Sequence, residues 1–205
     1  DELGAGGAGD QIAAAAAAAG VADGPRAERL LADTLQDLVR CFTAPVALTK
    51  LGHLPVSTVR SFVEILRLPN WYKQPREQSF ASISNARSLL SGAGLIADTD
   101  GSLAITERGR SFLAAADPAA EFSTELLLGF ETLYGKRTWK TWVRILGELF
   151  GVQAFVGWDH RMPADYQNVF EFLVDLGVIA TGPGDMQLTP GGRVLLKQMV
   201  ASYSR

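Results

Sequence analysis

The titratable side chains of this sequence offer little for catalysis. Its histidines are His53 and His160, separated by about a hundred residues. Neither lies beside a serine or cysteine in a setting that would make a nucleophile, and Asp159 next to His160 is more typical of an exposed loop than of an acid–base pair. We therefore predict a protein that is not an enzyme.

Metal and cofactor chemistry have no better support. Cys41 is the single cysteine, and no set of Cys, His or carboxylate residues has the spacing of metal ligands. The glycine-rich beginning of the chain contains no Gly-Lys-Ser/Thr and follows no strand, so it is not a phosphate loop. We expect no metal and no cofactor, and we interpret Cys41 as a packed thiol of a cytoplasmic protein.

Basic side chains are concentrated in two blocks, although the chain carries a net charge of −3. Residues 45–92 have six basic and two acidic side chains, and residues 136–161 have five and two. Lys136, Lys140 and Arg144 recur every four residues along a predicted amphipathic helix at 136–150, with Arg137 beside them. This spacing of about 6 Å per step suits a row of phosphates.

A second polar group lies on the helix predicted at 82–91. Its short donors and acceptors, with one guanidinium able to bind guanine, are the kinds of side chain that contact base edges, and no acidic residue accompanies them. The alternative is a solvated polar face. The residues are Ser82, Ser84, Asn85, Arg87 and Ser88.

Apolar periodicity predicts a mainly helical chain after a flexible Gly/Ala-rich leader at 1–26. Trp139 and Trp142 fall on the apolar stripe of their helix and are predicted to be core, whereas Trp71 and Trp158 are predicted in loops. A helix is expected from about residue 27 to Pro45, and a short helix is a candidate at 46–52. Further helices are expected at 57–67, 82–91, 107–116, 121–134, 136–150, 164–176 and 193–203.

One pattern occurs twice, as LLSGAGLIADTDGSLAITERGRSFL at 89–113 and FLVDLGVIATGPGDMQLTPGGRVLL at 172–196. Each copy ends a helical run at a glycine, Gly94 or Gly177, which suits a left-handed helix cap. A short strand, a polar turn containing glycine and a second strand then predict a β-hairpin. Thr-x-x-Gly-Arg opens the next helix. The fold class expected is mainly α with small β-hairpins.

The passage GLI…ITERGRSFL resembles the strand–hairpin–strand–helix region of bacterial winged-helix regulators of the multiple-antibiotic-resistance type. The resemblance implies tandem winged-helix domains at 27–117 and 118–205. The run VALTKLGHLPVSTVRSFVEIL at 46–66 is similar to a helix-turn-helix in which Thr58 and Arg60 open the recognition helix, and the helix at 82–91 competes for that role. Together, the helix-turn-helix resemblance, the polar face of the 82–91 helix and the basic residues of the 136–150 helix predict a set of DNA contacts. The set is Thr58, Arg60, Ser82, Ser84, Asn85, Arg87, Lys136, Arg137, Lys140 and Arg144.

The expected function is therefore non-catalytic binding of double-stranded DNA. The alternative is a tandem winged-helix adaptor that binds a partner protein or a second copy of itself. Asp98 and Asp100 make the first hairpin acidic, and no Lys or Arg lies in the second hairpin turn at 181–185, which favours the adaptor. No membrane partner is expected, because the apolar run at 13–19 is far shorter than a spanning helix of ~20 residues.

Overall fold

The computed structural model describes residues 31–69, 73–152, 166–182 and 185–204. The predicted leader, Trp71, Trp158 and the Asp159–His160 pair lie outside the described residues. Within the described parts, none of the helices is both long enough and apolar enough to cross a membrane.

The first half of the chain combines helices with a small antiparallel sheet. Helix α1 is Leu31–Arg40, strand β1 is Val46–Ala47, helix α2 is Val56–Ile65, and a 3₁₀ turn at Glu77–Ser79 leads into helix α3, Ala81–Gly92. Strands β2, Ile96–Thr99, and β3, Ser102–Ile105, form the first hairpin, and helix α4 is Glu107–Ala114. The sheet order is β1-β3-β2, with Val46 opposite Leu103 and Ile96 opposite Ile105.

The second half repeats the ending of the first. Short helix α5, Pro118–Glu121, leads to α6, Ser123–Tyr134, and α7, Lys136–Leu149. Helix α8, Tyr166–Asp175, precedes the second hairpin of β4, Ile179–Gly182, and β5, Asp185–Leu188, and helix α9 is Pro190–Tyr203. Both hairpins and the mainly helical fold class are confirmed.

The repeated Thr-x-x-Gly segments adopt the same hydrogen-bonded junction. Thr106 Oγ1 donates to the carbonyl of Gly94 at 2.7 Å and accepts from the amide of Gly109 at 2.9 Å. Thr189 Oγ1 bonds the carbonyl of Gly177 at 2.6 Å and the amide of Gly192 at 3.0 Å. One hydroxyl thus caps a helix and fastens it to the strand entering the hairpin.

Glycine is required at the third helical position of each junction. A Cβ built at Gly109 would lie 2.2 Å from the carbonyl oxygen of Leu95, and one at Gly192 would lie 2.1 Å from that of Val178. Gly94 and Gly177 have φ values of 69° and 78°, the left-handed conformation predicted for them.

A contiguous hydrophobic core joins the two halves. Trp139 and Trp142 are buried in it, as predicted. Helices α3 and α6 cross closely at small residues, since a Cβ at Gly92 would lie 3.1 Å from the Cα of Gly129. The proposed boundary near residues 117–121 therefore separates two sequence repeats that pack against one another.

Two predicted helices differ from the structure. The candidate helix at 46–52 is wrong, because Val46 and Ala47 pair with β3 and a turn follows them, so the helix-turn-helix interpretation of 46–66 loses its first helix. The helix predicted at 121–134 is divided at Phe122, which joins α5 to α6. Pro118 begins α5, and Asp117 caps it by accepting from the amide of Ala120.

Candidate functional site

Helix α3 carries the predicted base-contacting side chains and occupies an interior position in the fold. Its apolar face, formed by Ile83, Ala86, Leu89 and Leu90, is buried. The helix also contacts α6 and α8, and Ser84 and Asn85 are half-buried. A helix that enters a DNA groove must present its polar face to solvent. Here the predicted base-contacting side chains are half-buried, and Ser82 and Arg87 are bonded within the chain.

The first polar side chain of α3 bonds across the repeat. Ser82 Oγ donates to Asp175 Oδ2 at 2.6 Å, and both residues are partly buried. Hydrogen bonds to a carboxylate are shorter and stronger than those between neutral groups. Ser82 therefore fastens α3 to the end of α8 and has little freedom to contact another molecule.

Arg87 is held by groups of its own chain. Its Nε lies 3.0 Å from Glu77 Oε1, and its Nη1 donates to the carbonyl of Gly52 at 2.8 Å. The guanidinium, carried by the middle of α3, joins the 3₁₀ turn before that helix to the turn that precedes α2. The sequence indicated a guanine-binding donor at this position, whereas the geometry gives Arg87 a place in an intramolecular ion pair.

Glu77 is the residue that sequence reasoning missed. Its side chain is 1% exposed, and its Oε2 accepts from the amide of Leu54 at 2.8 Å and lies 3.7 Å from His53 Nδ1. Oε1 forms the ion pair with Arg87, but no donor among the described residues makes a hydrogen bond of good geometry to this oxygen. The signal available in the sequence was an acidic residue within a basic block, where Glu77 and Glu64 are the two exceptions.

The residues predicted at the beginning of α2 have different environments. Thr58 is 9% exposed and belongs to the buried face of the helix. Arg60 is exposed, and its Nη2 donates to the carbonyl of Lys73 at 3.2 Å. Arg60 is therefore available for an external charge, whereas Thr58 is packed.

The basic stripe of α7 consists of Lys136, Arg137, Lys140 and Arg144. It is exposed in the first turn of the helix and contacts other parts of the chain further along. Lys136 and Arg137 are exposed. Lys140 is half-buried, with Nζ 5.7 Å from the centre of the Tyr203 ring, and Arg144 is half-buried and interacts within the chain. Phosphate binding by this helix would thus depend mainly on its first turn.

Tyr203 forms part of the same cluster. Its hydroxyl donates to Glu131 Oε1 at 2.7 Å, which ties α9 to α6. Burial first, and then the neighbouring Glu131 carboxylate, raise the pKa of the Tyr203 phenol well above its ordinary value. Lys140 of α7 thus lies beside the contact between α6 and α9.

Asp98, near the end of β2, and Asp100, in the turn of the first hairpin, are both exposed. Asp98 Oδ1 accepts from the amide of Gly101 at 2.9 Å, and Asp100 has a left-handed φ of 55°, which aspartate tolerates better than most residues. The two aspartates therefore favour the conformation of the hairpin turn. They also place negative charge where a DNA-binding hairpin would approach phosphates.

Clustered metal ligands are lacking in the described parts of the chain, where no group of three or more His, Cys, Asp or Glu side chains converges. Cys41 is half-buried, and burial raises the pKa of its thiol to about 11. Such a thiol is mostly protonated at neutral pH and is a poor ligand and nucleophile.

Comparison of the chain with family models, with curated proteins and with solved structures finds no match.

Proposed function

We propose that the chain is a non-catalytic assembly protein made of two winged-helix-like halves, 27–117 and 118–205, and that it binds protein rather than reading a DNA sequence. The order helix, strand, helix, helix and hairpin, with sheet order β1-β3-β2, supports this relationship for the first half. The repeated hairpin and Thr-x-x-Gly junction support it for the second half.

The hydrogen bond from Ser82 to Asp175 is the observation that carries the proposal. In a winged-helix regulator α3 would be the helix that enters the major groove. Here α3 lies against α6 and α8, and Arg87 is paired with a buried carboxylate. Reading a sequence through Ser82 or Arg87 would require these interactions to be broken first.

The proposal is tested by selecting the intact chain against a random duplex library. We expect no enriched sequence, because Ser82 and Arg87 of α3 are engaged within the chain. An enriched site whose affinity falls about 10-fold or more in Asn85→Ala, with Thr141→Ala on α7 as the matched control, would overturn the proposal.

A positive test follows from the same proposal. The chain should be recovered from nuclease-treated cells as a protein complex, and the complex should be rebuilt from purified components and sized by sedimentation. We expect a defined stoichiometry that survives nuclease. Association that disappears with nucleic acid would contradict the proposal.

A second candidate function is sequence-independent binding of DNA phosphates, and exposed Lys136 and Arg137 on the first turn of α7 favour it. If it is correct, Lys136→Gln and Arg137→Gln together should reduce the slope of log K against log salt by about 0.9 for each lost contact. Lys73→Gln with Arg76→Gln is a matched control of equal charge. No shift of a duplex at low salt would exclude this candidate.

A further inference from the structure

In the first half of the chain, the edge of β3 that faces away from β2 is covered by β1. The two strands are antiparallel, with Val46 opposite Leu103. Next to this pair, the amide of Ile105 donates to the carbonyl of Phe42 at 2.9 Å. The backbone groups on this edge of β3 therefore find partners in the segment that contains β1.

The second hairpin repeats the first but lacks this third strand. The two hairpins have the same register, so Met186 occupies the position of Leu103, and Leu188 occupies that of Ile105. Within the described parts of the chain, however, β5 pairs with β4 alone. The edge of β5 that faces away from β4, called here the outer edge, corresponds to the edge of β3 that β1 covers.

The backbone groups of Met186 and Leu188 point towards this outer edge. The amide of Thr189, which follows β5, donates to the carbonyl of Val178 at 3.1 Å, so this pair is hydrogen-bonded. Bonded and non-bonded pairs alternate along an antiparallel ladder. Leu188 and Met186 are therefore in non-bonded pairs, and their amides and carbonyls point away from β4.

The amide of Leu188 is a buried donor. Leu188 is 8% exposed, and among the described residues its amide makes no hydrogen bond. The same donor in the first half, the amide of Ile105, bonds the carbonyl of Phe42. A buried amide without a partner costs about as much free energy as a lost hydrogen bond. The outer edge of β5 therefore favours a ligand that offers a backbone carbonyl.

The order of the helices leaves no place for a counterpart of β1 in the second half. Counted back from each hairpin, α6 and α7 correspond to α1 and α2, and β1 lies between α1 and α2. Helices α6 and α7 are joined by Gly135 alone, which has a φ of 81°. A strand as short as β1, which has 2 residues, does not fit into that connection.

We propose that the outer edge of β5 binds an extended segment of a partner protein, which runs antiparallel to β5 and completes a three-stranded sheet. The first half defines the chemistry of this segment. An apolar residue should lie opposite Met186 and an exposed residue should follow it, since Val46 is half-buried and Ala47 is exposed. Addition of a strand to a sheet edge is an established mode of peptide recognition. The proposal rests on the assembly function above and specifies the form of the partner.

Selection of random peptides of about seven residues against the immobilised full chain tests the proposal. We expect enriched peptides in which apolar and polar residues alternate. Met186→Pro removes an outward amide from the outer edge and leaves the bonds to β4 in place, so it should lower the affinity for such a peptide about 10-fold or more. Thr181→Pro, at the opposite position on β4, is the matched control and should change the affinity less than about 2-fold.

Hydrogen exchange of the backbone amides gives a second readout that needs no variant. In the free chain, the amide of Leu188 should exchange about 10-fold faster or more than that of Ile105, its bonded counterpart. Saturation with an enriched peptide should slow the exchange at Leu188 by about the same factor. Circular dichroism establishes that the two proline variants remain folded.

Three results would overturn the proposal. The first is a selection that enriches no peptide, and the second is an enriched peptide that binds Met186→Pro with unchanged affinity. The third is a Leu188 amide that is as protected in the free chain as that of Ile105, because the edge would then already be paired within the chain. A dimer of the full chain that Met186→Pro abolishes would assign the edge to a second copy instead.

These outcomes are distinct from failure of the assembly function. A chain that forms a nuclease-resistant complex but selects no peptide would keep the assembly function and lose the site on β5. A chain that binds peptides at β5 and also selects a DNA sequence through Asn85 would keep the site and lose the assembly function.

Discussion

At the scale of single residues, the Thr-x-x-Gly segments show how four residues specify a junction. The threonine hydroxyl serves as donor and acceptor at once, and the glycine permits its helix to lie against a carbonyl oxygen. The need for this threonine and this glycine could be recognised from the sequence repeat, because each depends on residues within 12 positions of the threonine. Local geometry of this kind is the part of the fold most readily predicted.

Replacing Thr189 with Ala should lower the free energy of unfolding by about 1–2 kcal/mol, because the amide of Gly192 loses its cap within a buried junction. Urea denaturation measures the effect. Thr141→Ala on α7 is the control, since the Thr141 hydroxyl bonds only a backbone carbonyl of its own helix at 3.2 Å among the bonds described. Equal losses in the two variants would show that the cap at Thr189 contributes little.

Cys41 allows a pH-dependent prediction. Burial raises the pKa of the thiol from 9.0 to about 11, so at pH 8 the folded chain has roughly 100-fold less thiolate than an unfolded one. Alkylation by iodoacetamide should therefore be much slower in the native protein than in urea and should accelerate as the pH approaches 11. Equal rates at pH 8 would contradict a protected thiol.

At the scale of elements, the prediction of a helix at 46–52 failed for a physical reason. Val46 and Ala47 are strand residues only because β3 lies beside them, and β3 comes more than fifty positions later in the sequence. The function of Arg87 was missed in the same way, since Gly52 lies 35 positions from it. Apolar periodicity identifies the buried face of a helix, but it does not show which residues of another element pack against that helix.

Replacing Arg87 with Met should destabilise the protein by about 2–4 kcal/mol, because it leaves the carboxylate of Glu77 buried without its ion pair. Arg60→Met, which removes an exposed guanidinium, should cost less than about 1 kcal/mol. Adding Glu77→Gln to Arg87→Met should restore part of the loss, since an amide oxygen can still accept from Leu54. If the changes in unfolding free energy of the two single variants simply add in the double variant, the two side chains do not interact.

The α3–α6 crossing gives a prediction in which helix propensity and packing oppose each other. Alanine in place of glycine favours a helix by up to about 1 kcal/mol. A Cβ at Gly129, however, would lie 2.6 Å from the carbonyl oxygen of Leu89, and separating the helices should cost about 1–3 kcal/mol. Gly129→Ala should therefore lower the thermal midpoint, whereas Leu128→Ala at the neighbouring exposed position should change it little.

At the scale of the whole molecule, the sequence is divided into two repeats, whereas the hydrophobic core is continuous between them. The two copies of the sequence repeat, at 89–113 and 172–196, lie on either side of the domain boundary predicted near residue 118. The core crosses that division, because α3 of the first half packs on α6 of the second and Ser82 bonds Asp175. A repeat can be recognised in one sequence, but the contact between its two copies cannot.

The full chain should therefore unfold in one cooperative transition, with calorimetric and van't Hoff enthalpies equal, as expected when the halves share a core. Fragments 27–117 and 118–205 should each be less stable than the whole chain, because each exposes the face that the other covers. In the first fragment this face includes Leu89 of α3 and Ala93 just after it, and in the second it is the surface around Gly129. Exposed apolar surface in the fragments would appear as binding of a hydrophobic dye that the full chain does not bind. Two separate transitions in the full chain, each reproduced by one fragment, would show that the halves fold independently. In that case α3 could leave α6 without unfolding, and its polar face would again be available to DNA.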